Sequence, residues 1–202
     1  CMAAPGAVEQ LQEALAWGCD RACLLTDRAF AGADTLATAR VLAAAARKLG
    51  RFDLIFCGGY TADGSTGQVG PQLAELLGIP DLTFVSSLKI KKRRLSAHCV
   101  REDGHTVCEA DLPALITWDQ SANTPRLTPI AGIRTAASKK IAVWSARDLR
   151  LKSASVGLAG SPTRMLNIFT PPNKRKGEML QGSANEVASQ LLAKLRREKA
   201  LS

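Results

Sequence analysis

Aromatic side chains are scarce in this chain: five Phe, three Trp and a single Tyr among 202 residues. Proteins that read nucleic acid commonly stack bases on such rings, so the shortage speaks against a nucleic-acid partner even though the net charge is +9. The charge is also lopsided, with 6 Lys/Arg against 8 Asp/Glu in residues 1–80 and 21 against 10 in residues 81–202. Because the basic residues are dispersed, the second part reads as a solvated face or as one that docks an acidic protein. Lys91-Lys92-Arg93-Arg94 is the densest group, and a charged hairpin edge of this kind discourages edge-to-edge pairing.

Histidine is scarcer still. His98 and His105 have no set of Cys, His or carboxylates at metal-ligand spacing around them, so a metal centre is not expected. Cys108 beside His105 lacks the setting of an oxyanion hole, and no side chain stands out as a covalent catalyst. The six cysteines, at 1, 19, 23, 57, 99 and 108, form no CxxC pair, and several fall in apolar runs; this reads as reduced thiols in a cytoplasmic protein. No apolar run approaches the roughly 20 residues of a membrane helix, so no span is expected. The chain opens on Cys1 rather than Met, with no charged leader before an apolar core, and reads as lacking its natural beginning.

What is present is an alternation of helical and extended patterns. Ala7 to Trp17 is helix-prone and closes at Gly18, and Ala22–Leu25 reads as a buried strand. Asp34 is placed to cap a helix whose apolar positions Leu36, Ala39, Ala43, Ala46 and Leu49 fall three and four apart and end at Gly50, a single stripe. Leu54–Cys57 is the next strand, Gln68–Leu77 the next helix, stopped by Gly78 and Pro80, and Thr83–Val85 a further strand. This alternation predicts an α/β fold with an open, mostly parallel sheet covered on both faces. Beyond residue 86, Leu88–Ile90, Leu95–Val100 and Thr106–Ala110 read as strands of a β-hairpin layer turning at Asp103-Gly104, and Leu115–Thr117 as a return to the main sheet. From about residue 145 the chain is loop-rich, until Ser183 and Glu186 spell a capping box before a helix with Val187, Leu191, Leu192 and Leu195 on one side. The expected organisation is a main domain over 1–150 and a C-terminal arm and helix over 151–202.

Residues 57–70, CGGYTADGSTGQVG, lie between a strand and a helix and carry five glycines. Neither common phosphate motif is present, since there is no G-K-[ST] ending and no GxGxxG. The physics is nonetheless that of an anion site. A strand runs into a glycine-rich turn and then a helix start, where unpaired N–H groups meet the positive end of the helix dipole. Gly64, Gly67 and Gly70 let the backbone approach a ligand closely. Thr61, Ser65 and Thr66 add hydroxyl donors, and Asp63 is placed to accept from a ribose or to brace the loop. In an open parallel sheet such a turn lies at the carboxyl edge, where ligands bind. The same residues also suit an ordinary strand-to-helix loop, with Gly and Asp there for turn geometry.

The stretch DLIFCGGYTADGSTGQVGPQLAELLGIP closely resembles the adenine-nucleotide loop of the electron transfer flavoprotein beta subunit. CMAAPGAVEQLQEALAWGCDRACLLTDRAFAGADTLATARVLA resembles the part before that loop, LPALITWDQSANTPRLTPIAGI the signature region, and GLAGSPTRMLNIFTPP the tail of anaerobe-type members. The resemblance covers essentially the whole chain in order. It implies a flavodoxin-like, adenine-nucleotide-hydrolase-like sheet, and a pocket lined by Cys1, Gly58, Thr61, Ala62, Asp63, Gly64, Ser65, Thr66, Gly67, Gln68 and Val69, with Asp63, Thr66, Gly67 and Gln68 central. In simple electron carriers of the family this pocket holds AMP while the alpha subunit binds the redox FAD. In members that bifurcate electrons it holds a second FAD, reduced by NADH, and the TADG-x-TGQVG form with the GSPT tail resembles that group.

The resemblance further implies a heterodimer with the alpha subunit, an acyl-CoA dehydrogenase as electron partner, and a carrier rather than an enzyme with its own substrate. Ile130, within TPIAGI at 128–133, falls where the family's projecting loop anchors the dehydrogenase through one apolar side chain. An apolar tip between Pro129 and Gly132 suits such an anchor, and it equally suits packing onto its own subunit. The basic residues that follow are thinned to Arg134, Lys139 and Lys140, which weakens steering. Trp17, Trp118 and Trp144 read as packing residues rather than flavin-stacking ones. The chain departs from the family pattern at Gly59-Tyr60, where a basic residue and glutamine are usual, at Ser65 in place of an acidic residue, and at Gln120, Ser121 and Thr124 in the signature. The family's opening strand, helix and strand have no counterpart before Cys1, so the chain reads as part of a longer one or as a decayed copy. Two other readings stand beside the electron carrier: a nucleotide-binding regulatory domain of the same fold with no redox role, and a nonfunctional truncated copy.

Overall fold

The computed structural model describes residues 1–62, 64–170, 177–198 and 200. The chain divides into two compact units, Cys1–Arg164 and Met165–Ser202. The first unit opens with α1 (Val8–Trp17), closed by Gly18, followed by β1 (Ala22–Leu25) and α2 (Thr35–Leu49). Asp34 caps α2 as its sequence position predicts, accepting from the Ala37 N–H at 2.9 Å. The buried positions of α2 are Ala37, Ala39, Val41, Ala43 and Ala45; of the predicted stripe Ala39 and Ala43 are buried, Leu36 and Ala46 half-buried and Leu49 exposed, so the buried face is wider than the stripe. The reason is that α2 has core on two sides. Val41 and Ala45 pack with Leu25, Phe30 and Leu149, while Ala39 and Ala43 pack with Leu73, Ala74 and Leu115. A helix covered on both flanks buries small residues widely instead of along a single stripe.

Next come β2 (Leu54–Gly58) and α3 (Val69–Leu77), the latter ending at Gly78 in the left-handed conformation. β3 (Asp81–Lys91), β4 (Arg94–Arg101), β5 (Gly104–Asp111) and β6 (Ala114–Trp118) follow. The two short strands expected at Thr83–Val85 and Leu88–Ile90 are one long strand with a register shift between Val85 and Ser87. Its first part pairs in parallel with β6 and its second part antiparallel with β4. A bulge lets one strand serve both pairings, so the parallel layer and the hairpin layer share β3. The sheet order is β2-β6-β3-β4-β5. β6 is buried from Ala114 to Thr117, as a central parallel strand covered on both faces should be.

Two elements absent from the sequence reading follow: α4 (Ile130–Ser138) and β7 (Ile141–Trp144), which pairs in parallel with β1 in a separate two-stranded sheet. α4 packs on α1 at Gly132, where a Cβ would overlap the Ala16 carbonyl oxygen. The glycine that borders the expected apolar tip is thus the point of a close helix–helix approach. The unit ends on the short helix α5 (Gly157–Gly160). Beyond it the Ser161 hydroxyl accepts from the Asp34 N–H at 2.8 Å and donates to the Gly157 carbonyl at 2.7 Å. Residues 151–164, expected to begin the C-terminal arm, therefore belong to the first unit. All six cysteines are free thiols, and no helix among the described residues is long and apolar enough to cross a membrane.

In the second unit, α6 (Ala184–Arg197) opens on the predicted capping box, with the Ser183 N–H donating to the Glu186 carboxylate at 2.7 Å. None of its residues is buried. Ahead of it Met165, Leu166, Ile168 and Phe169 are all exposed, Leu166 to 95%.

Candidate functional site

β2 delivers the chain to the glycine turn at the carboxyl edge of the sheet. The Gly59 N–H donates to the Trp118 carbonyl at 3.0 Å, which carries the β2–β6 pairing one residue further. Only glycine fits there, because a Cβ would stand 2.9 Å from that carbonyl and 3.2 Å from the Phe84 ring. The turn closes on itself through the Ser65 N–H and the Thr61 carbonyl, at 3.1 Å. It then reverses through two left-handed residues, Ser65 at φ 47° and Gly67 at φ 65°.

Gln68 precedes α3 without capping it. Its side-chain oxygen instead accepts from the Thr35 hydroxyl at 3.0 Å, which ties the start of α3 to the start of α2. Pro71, the third residue of α3, has no N–H to satisfy. Among the described residues the first-turn donors of α3 thus have no side-chain cap, at the positive end of the helix dipole. The start of α2 is the opposite case. Burial of the Asp34 carboxyl works against its charge, but the N–H groups of Ala37 and Thr163 and the Thr163 hydroxyl outweigh it and hold it below the usual carboxylate range. That helix end is already occupied by its own carboxylate.

The turn is supported from beneath by residues on two strands. Gly70 is buried against β6, so close that a Cβ there would overlap the Thr117 methyl. Thr117 is 1% exposed, and its hydroxyl oxygen accepts the Phe84 N–H at 2.9 Å. That bond holds Phe84 at φ 54°, a conformation that costs a non-glycine residue about 1–2 kcal/mol. The Phe84 ring lies under Gly67, 3.3 Å from where a Cβ would sit, and stacks on Tyr60 with centroids 4.9 Å apart and planes inclined by 28°. Such a pair contributes about 0.5–1.5 kcal/mol beyond the area it buries.

Of the predicted site residues, Gly58, Thr61, Ala62, Gly64, Ser65, Thr66 and Gln68 are exposed along the turn, and Gly67 and Val69 are half-buried. The structure brings these nine together. Asp63 lies outside the described residues. Cys1 stands apart on the edge of β1, where its carbonyl accepts from the Leu25 N–H at 2.7 Å and its amine donates to the Cys23 carbonyl at 2.9 Å. It meets the start of the turn only across an apolar cleft of about 490 Å³, lined among others by Cys1, Leu42, Leu49, Phe56 and Cys57. Burial raises the Cys57 thiol above its ordinary value, which leaves it neutral and weakly nucleophilic. Ile130 is the first residue of α4 and is 80% exposed. His98 and His105 lie on β4 and β5, and the described residues hold no cluster that could bind a metal ion. Tyr60, Phe84, Thr117 and Thr35 were missed by the sequence reading. The roles of Tyr60, Phe84 and Thr117 depend on which residues face one another across β2, β6 and β3, and that of Thr35 on the approach of α2 to α3; nothing local in the sequence states either.

The donors at the turn are hydroxyls and a helix start with no side-chain cap among the described residues, a chemistry that fits a phosphate-bearing ligand. The electron transfer flavoprotein domain matches residues 1–149. The caffeyl-CoA reductase–Etf complex subunit CarD of Acetobacterium woodii is 43% identical over 196 residues, covering 96% of this chain and 75% of that protein. The electron transfer flavoprotein subunit beta of Clostridium acetobutylicum is 41% identical over 197 residues, covering 98% and 76%. The acryloyl-CoA reductase electron transfer subunit gamma of Anaerotignum propionicum is 39% identical over 201 residues, covering 96% and 75%. With the domain spanning the sheet and the turn, and identity of this order over nearly the whole length, the chain belongs to the electron transfer flavoprotein family, on the side of its beta subunits.

Proposed function

We propose that this chain is the small subunit of a heterodimeric electron transfer flavoprotein, and that the turn over Gly58–Val69 holds an adenine nucleotide, FAD or AMP. The observation that carries the proposal is the start of α3, without a side-chain cap among the described residues, behind a glycine turn whose hydroxyl side chains are exposed. Thr61, Ser65 and Thr66 donate to phosphate oxygens, the α3 dipole favours their charge, and the Thr35–Gln68 bond fixes the turn. When bound, FAD supplies one- and two-electron chemistry. The protein binds and orients the nucleotide, and no side chain acts as a covalent catalyst.

The partner in the heterodimer is the alpha subunit with its own FAD. The exposed apolar residues of the Met165–Ser202 unit are the surface that packs on it. Electrons pass to or from an acyl-CoA dehydrogenase docked at Ile130, with NADH as reductant in the bifurcating case, in the cytoplasm. Support for an acyl-CoA partner comes from the relatives, one belonging to a caffeyl-CoA reductase complex and one serving an acryloyl-CoA reductase. The test is to co-express the full-length protein with its alpha subunit, denature the complex and count released nucleotides. Two flavins per heterodimer support the bifurcating form, and one flavin with one AMP supports the simple carrier. A single flavin and no second nucleotide contradicts the site.

A further inference from the structure

We propose that Tyr60 is a stacking platform for the adenine base of the bound nucleotide, an inference that rests on the nucleotide reading above. Tyr60 is the only tyrosine of the chain and is 57% exposed. A ring placed only to fill the core would be covered. This ring has Phe84 stacked on it at 4.9 Å, and it touches the turn again at Gly67, where a Cβ would lie 3.3 Å from the ring edge. Phe84 is in turn fixed by the Thr117–Phe84 hydrogen bond. The platform is therefore rigid before any ligand arrives, which lowers the ordering cost of binding.

Its location joins two halves of one ligand. Gly67 touches the tyrosine ring and lies two residues before the first residue of α3. A phosphate at the helix start and a base on the ring are thus served by one turn. Stacking asks only for a flat π-face, so it works without a hydrogen-bond code for the base. The missing side chains at Gly59 and Gly67 belong to the same arrangement, since a Cβ at either would press on the Phe84 ring at 3.2–3.3 Å.

The experiment titrates the complete heterodimer, freed of exchangeable nucleotide, with AMP by calorimetry. Ribose 5-phosphate, which has the phosphate and the sugar but no flat ring, is the second probe. Tyr60→Phe should bind both probes like the natural protein, with an unchanged melting temperature. Tyr60→Ala loses the stack on Phe84 and so melts somewhat lower, but should bind AMP about tenfold more weakly while keeping its affinity for ribose 5-phosphate. Equal AMP affinity in Tyr60→Ala overturns the platform. So does an equal loss for both probes, because Tyr60 would then be a lock on the turn. A loss confined to ribose 5-phosphate overturns the assignment to the base. If the natural protein binds neither probe, the nucleotide reading itself fails, and the platform with it.

Discussion

Gly70 is where α3 touches β6, and a Cβ at this position would run into the Thr117 methyl beneath it. Gly70→Ala must therefore lift the start of α3 away from the sheet, and overpacking of this kind costs about 1–3 kcal/mol. The expected result is a fall of several degrees in melting temperature together with weaker nucleotide binding, read by thermal denaturation and titration. An unchanged melting temperature would mean that the helix start does not rest on Thr117. Asp34 tests the neighbouring helix. Asp34→Ala removes the cap of α2, worth about 0.5–2 kcal/mol, and the acceptor of the Thr163 N–H. The folded carboxyl titrates below its ordinary value. Its contribution is thus complete above the unfolded value, about 3.9, and is lost as pH falls through the lower folded value. The gap in urea midpoint between the natural protein and Asp34→Ala should be widest near neutral pH and close on acidification; a gap independent of pH would show that the carboxylate's charge contributes nothing. At this scale the sequence discloses Asp34 and the glycines of the turn, whose signals are local. It conceals Tyr60, Phe84 and Thr117, which become a support only through strand register.

Among the elements, those with their own punctuation were legible. Gly18 and Gly78 close α1 and α3, Asp34 opens α2, and Ser183 with Glu186 opens α6, each where the sequence puts it. α4 and β7 were not legible. Gly132, three residues after Pro129, looks like a turn residue until α1 is beside it, because its lack of a Cβ matters only for close approach. β7 is four residues long and pairs with β1, far away in the chain. The structure also changes the setting of Ile130, from the tip of a loop to the first residue of a helix, preceded by Pro129 and 80% exposed. Burying one isoleucine in a partner's pocket is worth roughly 1.5–3 kcal/mol. Ile130→Ala should weaken docking to the dehydrogenase about tenfold or more, with melting temperature and nucleotide content unchanged, as measured by electron transfer to the cognate dehydrogenase. Normal transfer by the variant would rule out the anchor.

At the scale of the whole molecule, the two units assign different tasks to the two parts of the chain. The first carries its own core and the turn, whereas α6 buries none of its residues and the stretch before it exposes Met165, Leu166, Ile168 and Phe169. Deleting residues 165–202 should leave the melting transition of the first unit in place and abolish co-purification with the alpha subunit. A normal heterodimer from the shortened chain would show that the exposed residues have another use. The central claim concerns the turn, and amide hydrogen exchange of the heterodimer, with nucleotide bound and removed, tests it most directly. The account predicts that binding slows exchange in peptides spanning residues 58–70 and leaves the Asp34-capped start of α2 unchanged. Protection elsewhere, with residues 58–70 exchanging at the same rate in both states, would contradict it.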